Sequence, residues 1–577
     1  MSGFEVREGG FGPRGVVPEP LPAGGERPGS RAAELRWLCG EEAILGSDLV
    51  RRSPFLEAFS RLLHAARSPL LGALTLVFDG HALQYGAPSA ADATLLTAIH
   101  RDADGSAGDA PPPLDGSAAA FAFDLGDPDL GLGVERERRH PLPRARDLAP
   151  GQWIDPVVKV RAPDFFVRVL TRRNLGLGEA FLEGQFEMLR GSVHHLVAFF
   201  LVNEIDRQLR LSRKEQAKLL LQYAKWRWHH SHNEDIADHY DVGDNLMVPM
   251  LGATGCYSCG YLEQETDDLD RMQLNKMNLI FSKMRLQPGM RILDTGCGNG
   301  GMLVHAALGW GCHGEGFTNS YNMASLARRN AERNGVADRV AVHHADFSIL
   351  ETYPDQHFDA IYEVGVWEHL PFRQYAEVMK ECRRILKPHG RMLIHSMGSH
   401  QVKHRRDGYI QKYIFRDSNQ VRLHRLLTEA CRQDMYVADV ENLGRHYYWT
   451  LWYWRKNLID AFERDPRISE RDFRVQLYFL ECGMAESRFG DGSVYHVLLF
   501  KNARDYRKTW RVDGRMHEPG RGAIASKPLT MEPCDRSEHL HNDPFAEHKF
   551  ESPVYRRPSL GRRIAHWIDT VRSVTHQ

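Results

Sequence analysis

"MRILDTGCGNGG" (290–301) decides the fold. It is a short buried strand running into a glycine turn, with Gly296, Gly298 and Gly301 in G-x-G-x-x-G spacing. Outward from it, the texture alternates. "HAALGWG" continues a helix and "CHGEGFT" is a second strand. "NMASLARRNAERNGV" is a helix with Ala and Leu inside and Arg and Asn outside. "RVAVHHADF", "FDAIYEVGVWEHL" and "RMLIHSMG" are a third, fourth and fifth strand. Strands alternating with helices of this length predict an α/β fold with a parallel, doubly wound sheet.

The glycine turn admits two ligands. A dinucleotide would set its pyrophosphate on the helix N-terminus and want an acid at the tip of the second strand, about 20 residues on. Glu315 has that distance but lies inside "GEGFT", and Thr318 holds the tip. S-adenosylmethionine (SAM) would bring its sulfonium amino acid against the glycine backbone, with an acid just before the turn for the ammonium group. Asp294, two residues ahead of Gly296, favours SAM. A tight turn with no ligand is the plain alternative.

"CYSC" (256–259) raises zinc and redox chemistry. A structural zinc site needs a second Cys/His pair at matching spacing. The other cysteines, Cys39, Cys297, Cys312, Cys382, Cys431, Cys482 and Cys534, are scattered. A redox dithiol would sit where a strand feeds a helix, and an aromatic, glycine-containing, acidic stretch follows instead. One cysteine of the pair is expected to serve another role.

At 577 residues the chain should hold two to four domains, and 42% hydrophobic residues suffice to build their cores. A net charge of −1 gives no bulk attraction to nucleic acid, and none is expected as a partner. Cysteines without a framework suggest a reducing compartment. The start lacks an apolar signal region, and the longest apolar run, "LVAFFLV" (196–202), is far short of a bilayer span. The expectation is a cytoplasmic protein, at most peripheral at a membrane.

Residues 1–35, rich in Gly, Pro and Arg, read as disordered. A smaller α+β N-terminal domain is expected over 36–230, with a biased, partly disordered insertion at 89–151. "ALTLVFDGHALQYG" (73–86) reads as a hairpin around Asp79-Gly80. Residues 157–188 read as a strand and then helical material, and 205–229 as a basic amphipathic helix. The doubly wound domain is expected over 231–503, and a C-terminal extension over 504–577.

Eight segments now stand in order: "LGLGEAFLEG" (175–184), "HYDVGDNL" (239–246), "YSCGY" (257–261), "LQPGMRILDTGCGNGG" (286–301), "FDAIYEVGVWEHL" (358–370), "HSMG" (395–398), "KYIF" (412–415) and "HYYWTLWYW" (446–454). From about 157 to 503 the chain resembles the cyclopropane-fatty-acyl-phospholipid synthases and their mycolate-modifying relatives. That resemblance implies a Rossmann-like class I methyltransferase domain and a SAM-dependent methyltransferase of lipid metabolism. It implies Cys259 beside the reacting centre, with Tyr257 and Ser258 bordering the cofactor; Cys256 is an extra.

The chemistry sets two tasks. An alkene attacking the methyl group of SAM leaves a carbocation, which must be shielded and stabilised. A proton must then leave the transferred methyl group for a cyclopropane ring to close. Aromatic faces suit the first task, and the candidates are Tyr257, Tyr261, Trp367, Tyr413 and Phe415. For the second, the resemblance implies a bound bicarbonate held by Cys259, Glu368, His395 and Tyr447, with a backbone contact near Met397. The cofactor-binding candidates are Tyr257, Ser258, Asp294, Gly296, Gly298, Thr318 and Asp346. Glu368 could instead cap a strand end, His395 could be a satisfied core histidine, and Tyr447 could be core aromatic.

The sequence departs from the family's usual residues at Asn299, Asn322, Met323, Arg416 and in "ECGMAESRFGDG" (481–492). The expected substrate is the unsaturated acyl chain of a phospholipid. The competing readings are a branched or methylene product, a small-molecule N-methyltransferase, and an inactive lipid-binding protein. A homodimer is compatible with the sequence. "PSLGRRIAHWIDTVRSV" (558–574) places Leu560, Ile564, Trp567, Ile568, Val571 and Val574 on one helical face, which suits an anionic membrane surface or packing against protein.

Overall fold

A computed structural model describes residues 33–39, 41–65, 70–87, 120–123, 153–205, 244–264, 266–402, 407–415, 418 and 420–502. The basic helix expected over 205–229, most of "HYDVGDNL", and the tail helix at 558–574 lie outside the described residues.

The N-terminal part runs β1 (Ala33–Cys39), α1 (Glu41–Gly46), α2 (Asp48–Arg52), α3 (Pro54–Ala65), β2 (Leu74–Phe78), β3 (His81–Tyr85), β4 (Ala120–Phe123), β5 (Val157–Val160), α4 (Asp164–Leu182), β6 (Phe186–Arg190) and α5 (Val193–Val202). Its six strands form one sheet in the order β4-β1-β3-β2-β5-β6. The expected hairpin is present: β2 and β3 pair antiparallel across Asp79-Gly80, whose φ angles of 47° and 72° are those of a tight two-residue turn. β4 lies within the 89–151 segment and pairs antiparallel with β1.

The second part continues with α6 (Asp244–Leu251), α7 (Leu269–Met284), β7 (Arg291–Asp294), α8 (Gly301–Trp310), β8 (His313–Thr318), α9 (Tyr321–Arg333), β9 (Val340–His344), β10 (Phe358–Val364), α10 (Tyr375–Ile385), β11 (Leu386–Ser399), β12 (Val421–Arg422), α11 (Leu423–Arg432), β13 (Tyr436–Asn442), α12 (Gly444–Arg464), α13 (Glu470–Phe489) and β14 (Gly492–Phe500). The five strands read from the sequence are β7 to β11, and all pair in parallel. The sheet order is β13-β14-β11-β10-β7-β8-β9, with β12 alongside β11 and β14 antiparallel to both its neighbours.

β7 is central, and its Ile292 and Leu293 are fully buried, as a strand covered on both faces requires. The chain turns to opposite sides of the sheet at β7 and β10. That is the switch point where open α/β sheets bind ligands, outside the carboxyl ends of the strands. The aromatic stretch 446–454 lies in α12, which packs on α13 and α6. One apolar cluster runs from Leu38 and Phe59 of the N-terminal part through Phe181 to Tyr447, Trp454 and Tyr478. Gly178 of α4 sits at this junction: a Cβ there would lie 2.3 Å from the Tyr409 ring.

Candidate active site

Four elements converge on a cavity of about 770 Å³. The loop after α6 contributes Tyr257, Ser258 and Cys259. The turn after β10 contributes Gly365 and Glu368, β11 contributes His395 and Met397, and α12 contributes Tyr447. The sequence scatters Cys259, Glu368, His395 and Tyr447 over 189 positions, and all four line this one cavity.

Backbone bonds fix the Cys259 loop. The Gly260 amide donates to Thr450 Oγ1 at 3.0 Å, and the Tyr261 amide to Met272 O at 2.8 Å. A Cβ on Gly260 would stand 2.9 Å from Met272 Cβ, so only glycine lets the loop lie this close to α7. Cys259 is buried, and burial pushes its thiol up to about 12. It is therefore a neutral donor, unlike a metal-ligating or redox thiolate. Among the described residues no group of Cys, His, Asp and Glu is arranged to hold a metal.

Glu368 is buried in a single helical turn after β10. Its Oε1 accepts from the Met397 amide at 2.5 Å, while its Oε2 is buried with no hydrogen-bond partner among the described residues. Burial raises its pKa to about 7, and hydrogen bonding from the Met397 amide, its own backbone and the Ser396 side chain pulls the other way. Glu363, at the end of β10, accepts from the amides of Val366 (3.0 Å) and Trp367 (3.3 Å) and holds that turn in shape. Burial and the neighbouring Glu368 drive Glu363 well above the carboxylate range.

The Met397 amide, expected to contact the base directly, is thus occupied in positioning Glu368. Among the described residues the Tyr447 hydroxyl has only the Met397 sulfur, at 3.7 Å, and burial pushes it well above its usual pKa. His395 Nδ1 lies 2.7 Å from His496 Nε2. Burial, then Lys276 and Lys283, hold the His395 imidazole well below its usual pKa, hence neutral.

The glycine turn stands at the carboxyl end of β7. Asp294 Oδ1 accepts from the Gly296 amide at 3.1 Å, and burial raises this carboxyl to about 7. A Cβ on Gly296 would lie 2.2 Å from Val366 Cγ2. Beyond their immediate chain neighbours, Gly298, with φ of 50°, and Gly365, with φ of 74°, have no atom of the described residues within 4 Å of where a Cβ would be. This is open space against bare backbone, as the methionine end of SAM requires. Asn299 ties the turn down: its Nδ2 donates to Thr254 O and its Oδ1 accepts from Gly301 N, both at 3.1 Å.

Thr318 ends β8, and Asp346 caps the single helical turn after β9 by accepting from Ser348 N at 2.9 Å. Asp294, Gly296, Gly298, Thr318 and Asp346 share the carboxyl edge of the sheet but do not line the large cavity.

Of the aromatic candidates, Tyr257 and Phe415 line the cavity with ring centroids 5.8 Å apart. The other three do not. Trp367 is fully buried against Tyr375, Tyr261 stacks on His446, and the Tyr413 hydroxyl reaches Glu179. Phe479 of α13 joins the lining instead.

Sequence reasoning also missed Lys276, which is fully buried and donates to Ser258 Oγ at 2.9 Å. The signal was present: Lys276 and Lys283 fall among Met272, Met277, Ile280 and Met284 on the apolar face of α7.

Residues 228–497 match the family model described as mycolic acid cyclopropane synthetase. The cyclopropane-fatty-acyl-phospholipid synthase of Escherichia coli (strain K12) is 30% identical over 360 residues, covering 60% of this chain and 88% of that protein. Sphingolipid C9-methyltransferase B of Emericella nidulans is 26% identical over 303 residues, covering 51% of this chain and 58% of that one. Among solved structures, the mycolic acid cyclopropane synthase CmaA1 complexed with SAH and CTAB is 25% identical. It covers 46% of this chain and 96% of its own, with a TM-score of 0.42.

Proposed function

The chain belongs to the mycolic acid cyclopropane synthetase family of SAM-dependent methyltransferases, and from that premise we propose that it converts the double bond of an unsaturated phospholipid acyl chain into a cyclopropane ring, with bicarbonate as base. The observation that carries this reading is the convergence of Cys259, Glu368, His395 and Tyr447 on one cavity, with Glu368 Oε2 buried and without a partner among the described residues.

SAM would supply an electrophilic methyl group, and bicarbonate a base that does not itself capture the cation. The residues present fit both. Asp294 would hold the ammonium group of SAM, which restores the ionised state that burial opposes. The open backbone at Gly298 and Gly365 admits the amino-acid end, Gly296 lets the turn close on Val366, and Tyr257 and Ser258 border the site.

For bicarbonate, Glu368 Oε2 accepts, while the Tyr447 hydroxyl and a ring N–H of His395 donate, joined by the Cys259 thiol once it turns from the Gly260 carbonyl to which it donates at 3.2 Å. An acceptor among three donors suits an anion that carries one hydroxyl. The faces of Tyr257, Phe415 and Phe479 exclude water and stabilise developing positive charge.

Arg373, Arg422 and Arg425 line the same cavity, and the Arg425 guanidinium sits 4.4 Å from the centroid of the Phe372 ring. Guanidinium groups suit the phosphate of a lipid head group, which supports a phospholipid over a small amine as substrate.

The test uses SAM labelled with a trideuterated methyl group and vesicles of an unsaturated phosphatidylglycerol. Ring closure leaves two deuterons on the transferred carbon of a chain that has lost its double bond, whereas a methylene product carries two deuterons on a carbon that is still doubly bonded. Retention of all three means methyl transfer without closure, the chemistry of a branched product. No label in lipid, with label in added amines, would favour N-methylation. Wild-type rates in rigorously decarbonated buffer would count against bicarbonate.

A further inference from the structure

Strand register draws a line of polar groups through an otherwise apolar sheet. Glu441 of β13 pairs with His496 of β14, and His496 pairs with His395 of β11. Lys283 of α7 packs over this line. Its ammonium group contacts Glu441, lies 3.4 Å from Asp439 Oδ2 and lies 3.3 Å from His496 Nδ1. His496 Nε2 is 2.7 Å from His395 Nδ1. None of Lys283, His496 and His395 is more than 3% exposed, so the contacts that join them lie away from the protein surface.

Donor and acceptor roles along the chain follow from its first member. An ammonium group only donates, so His496 Nδ1 accepts and carries no proton. A neutral His496 then bears its hydrogen on Nε2 and donates it to His395 Nδ1. A neutral His395 in turn bears its hydrogen on Nε2, the nitrogen left over on a side chain that lines the cavity. Burial and the nearby lysines hold both imidazoles well below their usual pKa, which keeps the chain in this neutral form.

We propose that Lys283 and His496 are positioning residues that lock His395 as the Nε2–H tautomer, so that it meets the bound base as a hydrogen-bond donor and cannot itself take the proton from the transferred carbon. The idea rests on the function proposed above and deepens it. A histidine whose free nitrogen is protonated has no lone pair to offer, so the proton must leave on a separate base.

The experiment has two arms. Nitrogen-15 NMR of the imidazole groups in the full-length protein without ligands reads the tautomers directly, with the two signals identified by their loss in His395→Gln and His496→Gln. Protonated Nε2 on both rings is expected. A protonated Nδ1 on His395 would overturn the proposal, whatever reaction the protein catalyses.

In the kinetic arm, His496→Leu should lower kcat at least tenfold while KM for SAM stays within twofold. His496→Gln should recover most of the loss, because its amide can accept from Lys283 and donate to His395. If both variants lose activity equally, or KM for SAM rises in step with the loss of kcat, the residue is a packing element and the proposal fails. If His496→Leu does not fold, Lys283→Met with the NMR reading decides: an unchanged His395 tautomer there removes Lys283 from the relay.

Discussion

Glu368 receives the Met397 amide on Oε1 at 2.5 Å and keeps Oε2 buried without a partner among the described residues. One oxygen is spent on orientation and the other is left for a ligand. The arrangement is unfavourable for the empty protein, since a buried carboxylate with an unmet lone pair is costly. Such a cost at a cavity wall is expected of a group kept for binding.

Glu368 therefore trades stability for activity. Burial raises its pKa from 4.5 to about 7. For an acid raised on folding, the folded state binds the proton more tightly than the unfolded state. Stability accordingly falls as pH rises from about 4.5 through about 7. Glu368→Gln removes that penalty and should raise the melting temperature of the ligand-free protein at pH 8, with little gain at pH 4.5. The same variant should cut kcat roughly 100-fold or more. Melting curves at the two pH values, with single-turnover rates, check both halves. Wild-type activity should fall as pH drops through about 7.

Cys259 should resist alkylation. With its thiol pushed up to about 12 by burial, iodoacetamide at pH 8 should leave it unmodified while the exposed Cys431 reacts. Peptide mass mapping separates the two. Cys259→Ser should lower kcat roughly tenfold, the scale of one weakened hydrogen bond in a buried site, and leave SAM affinity within about twofold.

Gly296 and Val366 should behave as a coupled pair. A methyl group at Gly296 would collide with Val366 Cγ2 at 2.2 Å. Gly296→Ala should weaken SAM binding roughly tenfold or more by pushing the two turns apart. Adding Val366→Ala should restore a large part of that loss. Calorimetric titration of the four members of the cycle measures the coupling, and strict additivity would remove the steric explanation.

Arg425 should matter for lipid and not for SAM. Arg425→Ala is expected to raise KM for anionic phospholipid vesicles roughly three- to tenfold, consistent with one charge-assisted contact to phosphate at a partly exposed site. KM for SAM should not change. Equal losses with a phospholipid and with an acyl substrate lacking phosphate would assign Arg425 to cavity shape instead.

Much of this molecule was legible in the chain, for physical reasons. The run from β7 to β11 is written in short buried strands and helices with one apolar face, periods that local sequence states directly. The Asp79-Gly80 hairpin was equally plain, because few residue pairs accept positive φ in succession. β12 to β14 were not identified. The aromatic stretch 446–454 carries no helical period in its composition, yet it folds as α12 because α6 and α13 cover it.

At the site, Cys259, Glu368, His395 and Tyr447 could be named from the motifs that hold them. The roles of Trp367, Tyr261 and Tyr413 could not be separated from those of Tyr257 and Phe415. An aromatic residue beside a site motif can face the cavity or the core, and only packing chooses.

The sequence by itself determined the alternation of strands and helices, the glycine turn, and the residue types that the proposed methyl transfer calls for. Tertiary structure alone decided which groups meet. Lys283 reaches His496 across 213 positions, and His496 reaches His395 across 101. The antiparallel register of β14 on β11 puts the two imidazoles opposite each other. Local sequence cannot encode that register, because any apolar strand of this length could pair there. The buried faces of α7 and β13 select the pairing that gives each polar group a partner.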